Sequence, residues 1–151
     1  MSREDRARAA LSYLEDRRQE IVDFTCQLVA TSSQNPPGDE RAVTDVILAR
    51  MKELGLEGAE IAARQPERPN IVYRQRGRVG SPCLLLNGHT DTKPVGEADR
   101  KLWKTDPLSP TLVEGRLYGL GSTDMKGGLA AMVYSAAALR ALPNPQVAIC
   151  C

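Results

Sequence analysis

Between Gly127 and Leu142 the sequence has a helical pattern and is apolar almost all the way round. Leu129, Ala130, Ala131, Met132, Val133, Ala136, Ala137, Ala138 and Leu139 leave it without a polar face. A helix of that kind has to be covered by other elements. Pro143 and Pro145 then end it. A second segment constrains the fold in the same way. Cys83-Leu84-Leu85-Leu86-Asn87 lies between Ser81-Pro82 and Gly88. Its unbroken apolarity predicts a strand buried on both faces, as in the centre of an α/β sheet.

The other elements follow from spacing and punctuation. Up to about Ala30, Leu11, Leu14, Ile21, Val22, Thr25, Leu28 and Val29 recur near i, i+3, i+4 and predict helix, with Ser2 and Asp5 as a capping-box variant. Asn35-Pro36-Pro37-Gly38 breaks the helix into a loop. Asp39 is placed to cap a second helix with the stripe Val43, Val46, Ile47, Met51 and Leu54, and Gly55 is placed to stop it. Glu60–Arg64 and Asn70–Arg74 are short β candidates, and residues 91–110 are loop-rich. Thr111–Val113 and Arg116–Tyr118, joined by Glu114-Gly115, form a hairpin pattern. Gln146–Cys150 begins another strand. The order helix, helix, strands, helix, strand predicts an α/β fold with a partial mixed sheet flanked by helices.

Composition excludes several classes. The chain has 151 residues, 42% of them hydrophobic, too many for a disordered chain. A net charge of +1 gives no case for nucleic acid or an anionic membrane. No apolar run is long enough to span a bilayer, and Met1-Ser2-Arg3-Glu4-Asp5-Arg6 does not begin a secretory signal. The expectation is a cytoplasmic globular protein. Cys26, Cys83, Cys150 and Cys151 form no C-x-x-C pair and read as small hydrophobes in a reducing compartment. The chain contains one histidine, so any chemistry that needs imidazole must use His89.

In open α/β sheets, functional residues gather beyond the carboxyl ends of strands. There the apolar run is followed by Asn87-Gly88-His89-Thr90-Asp91-Thr92. In extended backbone, His89 and Asp91 project to the same side. A carboxylate beside a histidine can accept one ring N–H and leave the other nitrogen free for a metal. Gly119-Leu120-Gly121-Ser122-Thr123-Asp124-Met125-Lys126-Gly127-Gly128 sets a carboxylate among glycines at the start of the apolar helix. Taken singly, the first cluster also reads as a polar loop and the second as a capped turn; the spacing matches no phosphate-binding motif. Together they offer a histidine and a carboxylate, which suit zinc, cobalt or manganese. Two ligands do not complete a catalytic zinc site, which usually takes three.

Four stretches then stand in a telling order: Ser33–Gly38, Leu86–Thr92, Trp103-Lys104-Thr105-Asp106-Pro107, and Leu117-Tyr118-Gly119 through Asp124–Gly128. In these the chain resembles the dinuclear metal amidohydrolases of the acetylornithine deacetylase, succinyl-diaminopimelate desuccinylase and aminoacylase type. Lys93 and Leu120 stand where relatives often have Val and Arg. The resemblance implies that His89 is a ligand to one metal, that Asp91 is the catalytic-site acid orienting it, and that Asp124 bridges both metals. It also implies a cis peptide at Asp124–Met125. The cofactor implied is a pair of zinc ions, with cobalt or manganese as alternatives, assisting amide hydrolysis with a glutamate as general base. The substrate implied is a small N-acyl amino acid, or a short peptide if the chain is instead a metallo-carboxypeptidase or dipeptidase of the same fold. Full-length relatives are expected to be homodimers.

The resemblance also implies residues that this sequence lacks. The family's Glu-Glu pair would fall beyond Cys151, the second histidine later still, and the lid and dimerisation domain is absent. Glu97 and Glu114 lack the context of the base. Residues 1–151 are therefore expected to be the N-terminal part of the catalytic domain, cut within or near a strand at 146–151. Alone the chain is expected to be inactive, with an unfinished sheet that exposes apolar surface. The alternative is a non-catalytic remnant or partner-binding module.

Overall fold

The structure is a computed structural model that describes residues 1–75, 83–142 and 148–150. Helices α1 (Arg3–Glu15), α2 (Arg18–Ala30) and α3 (Arg41–Glu53) come first. Short strands β1 (Glu60–Ala62), β2 (Asn70–Val72), β3 (Arg74–Gln75) and β4 (Cys83–Leu85) follow. After a one-turn helix α4 (Glu97–Arg100) come β5 (Thr111–Val113), β6 (Arg116–Tyr118), the long helix α5 (Gly127–Ala141) and β7 (Ala148–Cys150).

The core forms where α5 meets α2 and α3. Leu129, Ala130, Val133, Tyr134, Ala136 and Ala137 of α5 pack with Phe24 and Leu28 of α2 and with Val43, Ile47 and Met51 of α3. The Phe24 and Tyr134 rings meet at 6.1 Å between centroids, and full burial of a side chain such as Phe24 contributes about 1.5–3 kcal/mol. Ala131, Arg140 and Ala141 are the exposed positions of α5. The near-absence of a polar face in its sequence is therefore matched by burial on most sides.

The predicted single helix to Ala30 is two helices. Arg17, at φ −112° and ψ 16°, breaks it. The Arg17 guanidinium lies 3.8 Å over the Tyr13 ring, and its Nη1 donates to the Tyr13 carbonyl at 3.4 Å. The apolar stripe consequently does not run straight. Leu11 is exposed, whereas Phe24, Thr25, Leu28 and Val29 are buried. The capping box at Ser2 and Asp5 is formed. Glu40, not Asp39, occupies the N-cap position of α3, but Asp39 Oδ1 still accepts the backbone N–H of Arg41, the first helical residue, at 3.2 Å, and the same carboxylate takes the Arg41 guanidinium at 2.6 and 3.0 Å. Gly55 ends α3 at φ +74°, as the sequence predicts.

The sheets are small. β1 and β2 pair antiparallel, and β5 and β6 form the predicted hairpin, with Glu114 at φ 49° and Gly115 at φ 75°. Such a pair of positive φ angles matches the twist of the strands it joins. The third sheet is mixed. β7 lies between antiparallel β3 and parallel β4, in register Cys83↔Ala148, Leu84↔Ile149 and Leu85↔Cys150. The parallel pair is the unit that α5 crosses over. The prediction that β4 is a central strand buried on both faces is not met among the described residues. β4 is an edge strand of its sheet, and Leu84 and Leu85 are 48% and 66% exposed. Among the described side chains of that run, Leu86 packs against the core. An apolar run shows what a strand is suited to lie beneath; what covers it is decided elsewhere.

Cys26 is half-buried with a free thiol, pushed up by burial and by the nearby Asp23 carboxylate. Cys151 and the side chains of Cys83 and Cys150 lie outside the described residues. Among the described residues no helix is long and apolar enough to cross a membrane.

Candidate metal centre

Two segments carry the site. The first leaves β4 as extended chain through Gly88 to Thr92. The second is the tight turn Ser122–Lys126 that opens α5, closed by the Lys126 N–H on the Gly121 carbonyl at 2.9 Å. Gly121 sits at φ +75°, and a Cβ there would run into the Thr92 methyl group, so this glycine lets the two segments approach. Gly88 does the same from the other side, where a Cβ would stand 2.9 Å from the Met125 methyl carbon. The Asp124–Met125 peptide is cis.

That packing brings His89, Asp91 and Asp124 together. The His89 ring spans the two carboxylates. Nδ1 lies 3.1 Å from Asp91 Oδ1 and 3.1 Å from the Asp91 carbonyl oxygen, and Nε2 lies 2.9 Å from Asp124 Oδ1. Burial pulls the imidazole pKa down, but the hydrogen bond to Asp124, the Asp91 carbonyl and the two carboxylate charges outweigh it. The net shift is upward. Asp91 is held below the usual carboxylate range, first by the Asn35 side chain and, against the cost of burial, by His89. The cleft above them, about 300 Å³, is lined by Asn35, His89, Asp91, Thr92, Lys93 and Asp124.

The loop Ser33–Gly38 frames the cleft. The Asn35 N–H donates to the Thr92 carbonyl at 2.8 Å, the Thr92 N–H to the Ser33 carbonyl at 3.0 Å, and Ser33 Oγ to the Thr90 carbonyl at 2.7 Å. Thr90 Oγ1 in turn donates to Glu40. Asn35 was visible in the sequence only as part of a motif without a role. Arg68, which donates to Asn35, left no signal at all, because the contact joins residues 33 apart. Trp103 and Asp106-Pro107 lie outside this cleft. The Asp106 carboxylate accepts the Leu108 N–H at 3.0 Å, a contact that serves the loop itself.

An imidazole nitrogen and a carboxylate oxygen 2.9 Å apart, with the far ring nitrogen anchored by a second carboxylate, form a donor pair suited to a borderline divalent cation such as zinc. Among the described residues no group of three or more His, Cys, Asp or Glu is gathered in a metal-holding arrangement. The donors present fit such an ion as part of a site.

Residues 85–150 match the profile of peptidase family M20/M25/M40. Over 116 residues the chain is 39% identical to a succinyl-diaminopimelate desuccinylase of Stenotrophomonas maltophilia, covering 77% of this chain and 29% of the relative. A desuccinylase of Xylella fastidiosa is 34% identical over 119 residues, covering 78% of this chain and 29% of the relative. The chain thus spans under a third of the length of these curated relatives. Human carnosine dipeptidase 1 superposes with a TM-score of 0.70 at 24% identity, over 93% of this chain and 33% of that one. An M20 family metallo-carboxypeptidase from Sulfolobus solfataricus gives 0.66 at 21% identity, over 87% and 30%.

Proposed function

The chain belongs to peptidase family M20/M25/M40, and from that premise we propose that it contributes His89, Asp91 and Asp124 to a divalent-metal centre for hydrolysis of an amide bond in an N-acyl amino acid. The observation that carries this reading is the His89 ring held at both nitrogens, by Asp91 on one side and Asp124 on the other. The desuccinylase relatives supply the substrate class. The dipeptidase and carboxypeptidase neighbours share the fold alone and add no weight to a peptide substrate.

Each residue has a distinct task. Asp91 accepts the Nδ1 proton, which fixes the ring and turns the Nε2 lone pair toward Asp124. His89 Nε2 and the Asp124 carboxylate would hold the ion, with zinc the first candidate and cobalt or manganese compatible with the same donors. The Asp124 carboxylate is 85% exposed, so it would also be open to a second ion. An ion held there supplies Lewis acidity at the amide carbonyl and acidifies water. His89 and Asp124 are two ligands where a catalytic zinc usually takes three, so turnover would need further groups.

Calorimetric titration of zinc and cobalt into the 151-residue chain, together with an assay on N-succinyl and N-acetyl amino acids, tests this. Weak binding of the cation, lost in His89→Ala, without turnover, is the expected result. Absence of any His89-dependent binding removes the metal centre. Robust turnover removes the claim that further groups are needed.

A further inference from the structure

The Asn35-Pro36-Pro37-Gly38 loop donates no ligand, yet it reaches the site through one side chain. Asn35 Nδ2 donates to Asp91 Oδ2 at 3.1 Å, and Asn35 Oδ1 accepts from Arg68 Nη2 at 2.9 Å. A guanidinium can only donate. The amide is therefore fixed in one orientation, with its oxygen toward Arg68 and its NH2 group toward Asp91. Gly38 makes the approach of Arg68 possible. A Cβ on Gly38, which sits at φ +86°, would stand 2.8 Å from Arg68 Cζ and 2.9 Å from its Nε.

Asp91 consequently has both oxygens assigned. Oδ2 is held by Asn35, and Oδ1 is aimed at His89 Nδ1. On the opposite edge of the ring the Asp124 carboxylate, 2.9 Å from Nε2, is a rival acceptor for the single proton of a neutral imidazole. Which nitrogen carries that proton depends on how firmly Asp91 is held against Nδ1.

We propose that Asn35, oriented by Arg68, is a positioning residue that pins the Asp91 carboxylate and so draws the proton of neutral His89 toward Nδ1 in competition with Asp124 at Nε2. Only the consequence for cation binding rests on the proposed function; the position of the proton does not.

The solitary histidine makes the test direct, because the ring ¹⁵N signals of the 151-residue chain can belong only to His89. Multiple-bond ¹H–¹⁵N correlation spectra, recorded where the ring is neutral, read the tautomer. The wild-type chain is expected to be mainly Nδ1–H. Asn35→Ala should move the tautomer ratio toward Nε2–H by about 2- to 10-fold, the ratio that one net hydrogen bond is worth. Arg68→Ala should move it in the same direction by less, and Arg68→Lys, which keeps a donor-only group, should restore it. An unchanged ratio in both alanine variants, with a wild-type amide spectrum, overturns the proposal. Arg68 is exposed, so its variants decide the matter even if Asn35→Ala fails to fold. Zinc added to the wild-type chain separates this from the reading above. A ring held as Nδ1–H whose Nε2 signal ignores zinc upholds the positioning role and removes the metal centre. A zinc-responsive Nε2 with a tautomer indifferent to Asn35 and Arg68 does the reverse.

Discussion

The Lys126 ammonium donates to the Thr31 carbonyl at 2.7 Å, although the side chain is only 1% exposed. Thr31 is the C-cap of α2, so a cation sits at the negative end of that helix, where it is favoured. Burial nevertheless pushes the lysine down to about 8. The contact ties the end of α2 to the turn that carries Asp124, two residues before Lys126.

Replacing Lys126 tests how much that tie contributes. Lys126→Ala leaves a cavity and removes the donor to Thr31, and should destabilise the chain by about 2–4 kcal/mol. Lys126→Met fills the same space and removes a buried cation, so it should cost only about 1 kcal/mol, the net worth of a hydrogen bond. Denaturant unfolding of the three chains measures both. Equal losses in the two variants would show that the hydrogen bond, and not the volume, dominates.

How much of this was legible in the sequence depends on whether the signal was local. α5, the Glu114-Gly115 turn, the Gly55 stop and the Ser2–Asp5 box are set by residues within a few positions of one another, and each was readable. His89 and Asp91 were readable as a pair for the same reason. The break at Arg17 was not, because the i, i+3, i+4 spacing continues across it while the chain turns. Lys126 gave no warning, since a lysine in a polar, glycine-rich segment reads as solvated. The Arg68–Asn35–Asp91 chain joins three distant segments, so no local pattern could record it.

Gly121 and Gly55 both sit near φ +75°, but their surroundings differ. A Cβ on Gly55 meets nothing within 4 Å, whereas one on Gly121 meets the Thr92 methyl and lies 3.5 Å from Lys126 Cδ. Gly55→Ala should cost about 1–2 kcal/mol, the left-handed backbone penalty alone. Gly121→Ala should cost about 1–3 kcal/mol more from overpacking. Thermal melts of the two variants side by side check the ordering, and a milder effect at Gly121 would contradict the close approach described.

The capping box of α1 should titrate. The Asp5 carboxyl is held below its ordinary 3.8 by the Ser2 hydroxyl and the Ser2 N–H. For an acid with a depressed folded value, the stabilisation is fully present above the unfolded pKa and is lost as pH falls through the folded one. Helicity of residues 3–8, read from ¹³Cα shifts, should therefore hold at neutral pH and fray below about pH 4. Asp5→Asn should flatten that dependence without changing the helicity of α2.

Zinc affinity should fall as pH falls, and the sign follows from the ring. His89 must be neutral to bind a cation, and its pKa is raised above the ordinary 6.5, with the Asp124 hydrogen bond and the Asp91 carbonyl and charge outweighing burial. Protons should therefore begin to compete with zinc at a higher pH than they do for a solvent-exposed histidine. Asp91→Asn removes the charge that anchors Nδ1 and should weaken zinc binding by 10–100-fold, the usual effect of losing such a partner. The same change takes away one of the two carboxylates that favour the protonated ring, so the onset of proton competition should move to lower pH. Calorimetric zinc titrations of wild type and Asp91→Asn from pH 5.5 to 8 report both effects. Weaker binding with an unmoved onset would mean that Asp91 orients the ring without setting its charge.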